Sequence, residues 1–102
     1  MPQFLLIAHD GDDAEALDRR MAARPSHLEG ISPLVEAGHV LVGGAILDDG
    51  GRMVGSMVLA DFPDRAALDD WVSNDPYVTG DVWRRIEVLP YRTAVGAWMP
   101  PG

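Results

Sequence analysis

A chain of 102 residues is sized for one domain with one modest core, and at 47% hydrophobic and 24% charged its composition is that of a globular protein. Eight basic residues, all arginine, stand against 16 acids; the net charge of −8 repels phosphate backbones and argues against a nucleic-acid partner. The absence of cysteine removes disulfides, thiolate nucleophiles and Cys-based zinc sites together, and suits a reducing cytoplasm.

Residues 3–9, QFLLIAH, form a nearly continuous apolar run and predict a strand buried on both faces. The opening stretch lacks a basic n-region and an A-x-A-like cleavage site, and no apolar run is long enough to span a bilayer. A cytoplasmic location with no membrane partner is therefore expected. His9, Asp10, Asp12 and Asp13 fit no EF-hand spacing and read as a polar turn, with no metal site. A short helix is predicted from Asp13 to Ala23, with acids early and Arg19 and Arg20 late, as the helix dipole prefers. Pro25 should end it, because the residue before a proline avoids the α region. Ser26 and Glu29 then have capping-box spacing and predict a second helix from 26 to about 37. Its apolar stripe is Leu28, Ile31, Leu34 and Val35, with a kink or a missing hydrogen bond at Pro33 and a stop at Gly38.

Residues 39–47, HVLVGGAIL, predict a second strand, DDGG a hairpin turn, and residues 52–62, RMVGSMVLADF, the returning third strand. Pro63 and Asp64 open a helix reaching Asn74, with Ala67, Leu68, Trp71 and Val72 on one face. NDPYVTGD reads as a turn with one helical turn, and residues 82–98 as a last strand bent at Pro90 and running into an apolar tail. The order βαββαβ is the signature of a ferredoxin-like α+β sandwich, in which two helices cover one face of a four-stranded antiparallel sheet. The first three strands are apolar on both faces, so the second sheet face would be left as a large exposed patch. A second copy of the chain, packed sheet to sheet in a two-fold homodimer, is expected to cover it, with residues 95–102 packed at the seam.

Several side chains could carry chemistry. His27 borders the apolar stripe; it is either an amphipathic histidine at a helix edge or a general acid/base. Asp75 directly precedes Pro76, the pattern of a helix N-cap, and could also orient a histidine. Arg24 is either solvated or a clamp for an anionic oxygen. Ser56 interrupts the apolar alternation of Val54, Val58 and Ala60, so its hydroxyl needs a partner, either a backbone carbonyl or a substrate oxygen. Gly44 and Gly55 would permit close backbone approach. Tyr77 and Trp71 read as core or pocket wall, and His39 as solvent-facing.

RPSHLEGISPLVEAG, the pair Gly43–Gly44, GSMVLADF, Trp71 and DPY at 75–77 together resemble the YciI-like (YCII-related) domain over nearly the whole chain. The resemblance implies a ferredoxin-like fold, dimeric α/β barrels similar in architecture to muconolactone isomerases, and a His–Asp pair in a pocket. Carried to this sequence, that pair is His27 and Asp75. Arg24, Ser56, Gly44 and Tyr77 stand beside it as substrate-binding candidates read from the residues themselves. It further implies lyase, dehydrochlorinase or isomerase chemistry without a cofactor on a small cyclic or aromatic metabolite. A ligand-binding or regulatory module using the same pocket, and a cofactor-independent oxygenase, are the competing readings.

Overall fold

The structure, a computed structural model, describes residues 2–98. The elements run β1 (Gln3–Asp10), α1 (Ala16–Glu36), β2 (Val40–Leu47), β3 (Met53–Asp61), α2 (Arg65–Asn74), α3 (Pro76–Thr79) and β4 (Trp83–Tyr91). All strand pairings are antiparallel, in the order β2-β3-β1-β4, which makes the fold ferredoxin-like α+β.

The two-residue period of the strands decides which side chains meet the helices. Leu6 pairs with Val58 and Val88, and Ala8 with Ser56 and Ile86, so these share one face. That face is the core: Leu6, Ala8, Val58 and Ala60 are buried against Leu68 of α2, Tyr77 of α3 and Trp83. The opposite face carries Leu5 and Ile7 of β1, Val42 and Ile46 of β2, Met57 of β3 and Leu89 of β4. Val42 and Leu89 there are 38% and 49% exposed. Between β2 and β3, Asp48 Oδ1 accepts from the amides of Gly50 and Arg52, and Gly51 takes a φ of +84°, so DDGG closes the hairpin.

Several expectations need correction. The two predicted helices are one: α1 runs unbroken from Ala16 to Glu36 with Pro25 and Pro33 inside it, and Ser26 and Glu29 lie mid-helix rather than in a capping box. A proline removes one intrahelical bond, but both prolines are exposed, as are Met21 and Glu29, so the carbonyls left without a donor can be hydrated. Tertiary packing outweighs that cost, because the buried face of α1 continues past Pro25 to His27 and on to partly buried Ile31 and Leu34. Leu28 and Val35, placed in the apolar stripe from the sequence, are 45% and 51% exposed.

His9 lies in β1 as the strand reading has it, and Asp10 extends that strand by one residue rather than belonging to a turn. His39 is not solvent-facing: its ring stacks on Phe62 at 4.8 Å and its Nδ1–H donates to the Asp61 carbonyl at 2.9 Å. β4 ends at Tyr91, well short of residue 98; Thr93 is instead tied to the Gln3 side chain by its amide and hydroxyl at 2.9 and 2.7 Å. Of the tail expected at the dimer seam, residues 99–102 lie outside the described residues, and Trp98 is 46% exposed.

The two glycines singled out from the sequence differ. A Cβ on Gly55 would lie 2.5 Å from the Ala8 carbonyl oxygen, whereas a Cβ on Gly44 would meet nothing within 4 Å. Gly55→Ala should therefore force β3 away from β1 and lower unfolding free energy by about 1–3 kcal/mol, the usual cost of overpacking. Urea denaturation of that variant beside Gly44→Ala, which lacks the clash, checks this.

Candidate active site

Helical spacing builds the site. Arg20 and His27, two turns apart, lie on the same face of α1 and are both buried, at 2% and 7% exposure. Between them on the same side comes Arg24, half-buried, which makes no ion pair with any described residue. This face of α1 looks across β2 and β3, and a cavity of about 140 Å³ lies between, lined by Arg20, Arg24, His27, Leu28, Ile31, Val35, Val40, Gly43, Gly44, Ala45, Ser56, Val58 and Tyr77.

Asp75 is brought against His27 by the start of α3. It is the N-cap, Pro76 follows at N1, and the Asp75 carboxylate accepts the Tyr77 amide at 2.8 Å. The same oxygen, Oδ1, lies 2.8 Å from His27 Nδ1. Capping and contact with the ring thus fall on one and the same oxygen. A carboxylate only accepts, so Nδ1 carries the proton and, in the neutral ring, Nε2 keeps its lone pair. Nε2 makes no hydrogen bond to another described residue. The carboxylate is 2% exposed, so little water competes for it.

Tyr77 is the platform of the site. Its ring stacks on the His27 imidazole at 3.8 Å with an interplanar angle of 13°, and the Arg20 guanidinium lies 4.8 Å from its centroid, a cation–π contact. Trp83 closes the group edge-on, at 5.7 Å from His27 and 5.4 Å from Tyr77. Burial raises the Tyr77 phenol above its ordinary pKa, partly offset by the positive charges of Arg20 and Arg24, so the hydroxyl stays protonated at neutral pH.

A second polar network adjoins the first. Arg20 Nη1 donates to both oxygens of Asp10, at 3.1 and 3.0 Å, and Nη2 donates to Ser56 Oγ at 2.9 Å. Trp83 Nε1 donates to the same Ser56 oxygen at 3.1 Å. Asp10, Arg20 and Trp83 went unrecognised in the sequence. Arg20 reads there as a dipole-friendly residue at a helix C-terminus; only once α1 is carried through Pro25 does its spacing of seven from His27 put it on the buried face. Outside the cavity, Arg19 holds the Asp13 carboxyl far below the usual carboxylate range through a paired hydrogen bond at 2.8 and 2.7 Å, tying the loop before α1 to the helix.

Of the sequence candidates, His27, Ser56, Tyr77, Arg24 and Gly44 line this one cavity and Asp75 meets it only through His27, while Trp71 stacks on Phe62 at 5.8 Å, away from it. Among the described residues no group of three or more metal-ligating side chains occurs, and no helix is long and apolar enough to cross a membrane.

Comparison with known proteins adds to this. The family described as the YCII-related domain matches residues 2–92. The protein YciI of Escherichia coli is 31% identical over 95 residues, spanning 87% of this chain and 97% of its own. Protein C of the derivative-of-benzaldehyde biosynthesis cluster of Emericella nidulans is 33% identical over 84 residues, spanning 74% of this chain and 86% of its own. Among solved structures, the 5-chloro-2-hydroxyhydroquinone dehydrochlorinase of Burkholderia phenoliruptrix, in complex with 2,5-dihydroxybenzoquinone, superposes with a TM-score of 0.76 at 24% identity, covering 88% of this chain and 93% of that one. A dimeric ferredoxin-like protein from Jannaschia superposes at 0.53 with 18% identity, covering 91% and 100%. At these identities the two structures establish the likeness of fold.

Proposed function

The chain belongs to the YCII-related domain family, and from that premise we propose that it is a small-molecule enzyme, active as a homodimer, in which His27 is the general acid/base and Asp75 orients it. The observation that carries the proposal is the 2.8 Å contact between His27 Nδ1 and Asp75 Oδ1 beside a cavity that His27 lines, with the other ring nitrogen bonded to no described residue. The fold likeness to a dehydrochlorinase that binds a hydroxylated six-membered ring supports the same class of substrate.

In the proposed reaction Nε2 removes a proton from a ring C–H, and the electron pair left on carbon is delocalised onto a ring oxygen as an enolate. The electrons then return in one of two ways. Either they expel a leaving group as its anion, giving elimination, or the imidazolium returns its proton at another carbon, giving isomerisation. Asp75 stabilises the imidazolium between the two steps, and Arg24 faces the oxygen where charge develops. The cavity sets the size limit: at about 140 Å³ it is close to the engineered cavity of about 150 Å³ that holds benzene, so one small ring fits.

Proton NMR in deuterium oxide tests the reading, using cyclohexane-1,3-dione, 2,5-dihydroxybenzoquinone and 5-chloro-2-hydroxyhydroquinone as probes. Protein-dependent exchange of a ring hydrogen, or release of chloride from the last probe, is expected. Binding of these rings with neither exchange nor elimination would replace the enzyme with a ligand-binding module.

The homodimer is proposed from the uncovered sheet face, where Leu5, Ile7, Val42, Ile46, Met57 and Leu89 leave an apolar surface that a second copy would bury. Light scattering should give twice the chain mass of 11.0 kDa, and Ile7→Glu, which sets a charge at the middle of that face, should return it to the monomer. A wild-type protein of single-chain mass would remove the dimer.

A further inference from the structure

The hydroxyl of Ser56 is a polar group whose roles can be counted. A serine oxygen offers two lone pairs and one proton. Both lone pairs are occupied, by Arg20 Nη2 at 2.9 Å and Trp83 Nε1 at 3.1 Å. Guanidinium and indole nitrogens donate and never accept, so neither can receive the serine proton. The residues paired with Ser56 across the sheet are Ala8 on one side and Ala45 on the other, which bring no side-chain acceptor. No described residue accepts from Ser56, although the residue is 3% exposed and lines the cavity. A buried O–H without an acceptor is costly, and this one is polarised by two incoming donors, one of them charged.

We propose that Ser56 is a substrate-binding residue held by Arg20 and Trp83 as an obligate hydrogen-bond donor, so that the site selects small ring compounds carrying an acceptor oxygen, a carbonyl, enolate or phenolate, seated on Ser56. This rests on, and deepens, the acid/base reading: His27 is the base of the cavity and Ser56 the donor for the oxygen onto which the electron pair moves. Asp10 has a defined part as well. By holding Nη1 through both carboxylate oxygens it aims Nη2 at Ser56, which makes Asp10, Arg20 and Trp83 positioning residues for the hydroxyl.

The test uses two uncharged, isosteric six-membered probes: pyridine N-oxide, whose oxygen only accepts, and aniline, whose nitrogen mainly donates. Titration of the full-length protein followed by NMR should give tighter binding of pyridine N-oxide by about tenfold or more, the scale of one hydrogen bond together with the penalty for leaving a donor unmet. Ser56→Ala should lower the ratio at least about threefold, with Arg24 left as the remaining donor to that oxygen. Ser56→Cys, which keeps the shape but offers only a weak donor, should lower it severalfold, and this variant with the wild-type ratio decides the matter if Ser56→Ala does not fold. Equal binding of both probes by the wild type, a preference for aniline, binding of neither, or an unchanged ratio in the Ser56 variants would overturn the proposal. Loss of the preference with proton exchange intact would sink this inference alone, and an intact preference without exchange would sink the acid/base reading alone.

Discussion

His27→Ala is expected to lower protein-dependent exchange or elimination at least about a hundredfold, the lower end of what a positioned acid/base contributes. Removing the ring leaves Asp75 Oδ1 bonded to the Tyr77 amide, so α3 keeps its cap and the variant should unfold cooperatively, with a loss of stability reflecting the Tyr77 stacking contact. Asp75→Asn sharpens the interpretation. An asparagine oxygen can still accept from both Tyr77 and Nδ1–H, preserving the tautomer and the start of the helix, but it cannot neutralise an imidazolium. Turnover should therefore fall in Asp75→Asn by less than in His27→Ala, with little change in melting temperature. Full turnover in His27→Ala, measured by deuterium incorporation under the same conditions, would remove His27 from the chemistry.

The largest stability loss is expected from Arg20→Ala. The Arg20 and Asp10 side chains are 3% and 2% exposed, so deleting the guanidinium strands a carboxylate where water cannot replace its partner. It also strips Ser56 of one donor and Tyr77 of its cation. Breaking a buried pair from one side costs about 3–5 kcal/mol, a large fraction of the stability of a domain this size. The double variant Asp10→Leu with Arg20→Met should recover much of that loss, because what destabilises is the unpaired charge more than the missing pair. Urea unfolding of the three proteins checks both statements. A cost below about 1 kcal/mol for Arg20→Ala would put the pair in the class of exposed ion pairs.

The strands were legible because their apolar runs are bounded by unmistakable breakers: DGDD after β1, DDGG between β2 and β3, Pro63 before α2. The ferredoxin-like order followed from them. The local signals at 23–29 misled, because Pro25, Ser26 and Glu29 together imitate a helix start, while the packing of His27 onto Tyr77 that overrides them involves a residue 50 positions further along the chain. The Asp75 cap could be read from the Asp–Pro step alone, being a local device. Its approach to His27 could not, since 48 residues separate them and only the assembled sheet sets that distance. Arg20 and Asp10 were hidden for the same reason: a buried ion pair has no local pattern, and each member looks like an ordinary surface charge.

The sharing of a single Asp75 oxygen between the α3 amide and the imidazole has a mechanical implication. Swinging the ring out of register would mean working against an atom already anchored by the backbone, so the imidazole inherits the stiffness of the turn behind it. Conversely, fraying of that short turn would release the ring. A segment of four residues thereby becomes the clasp on which the histidine's aim depends, and hydrogen exchange at the Tyr77 amide would count how often that aim is lost.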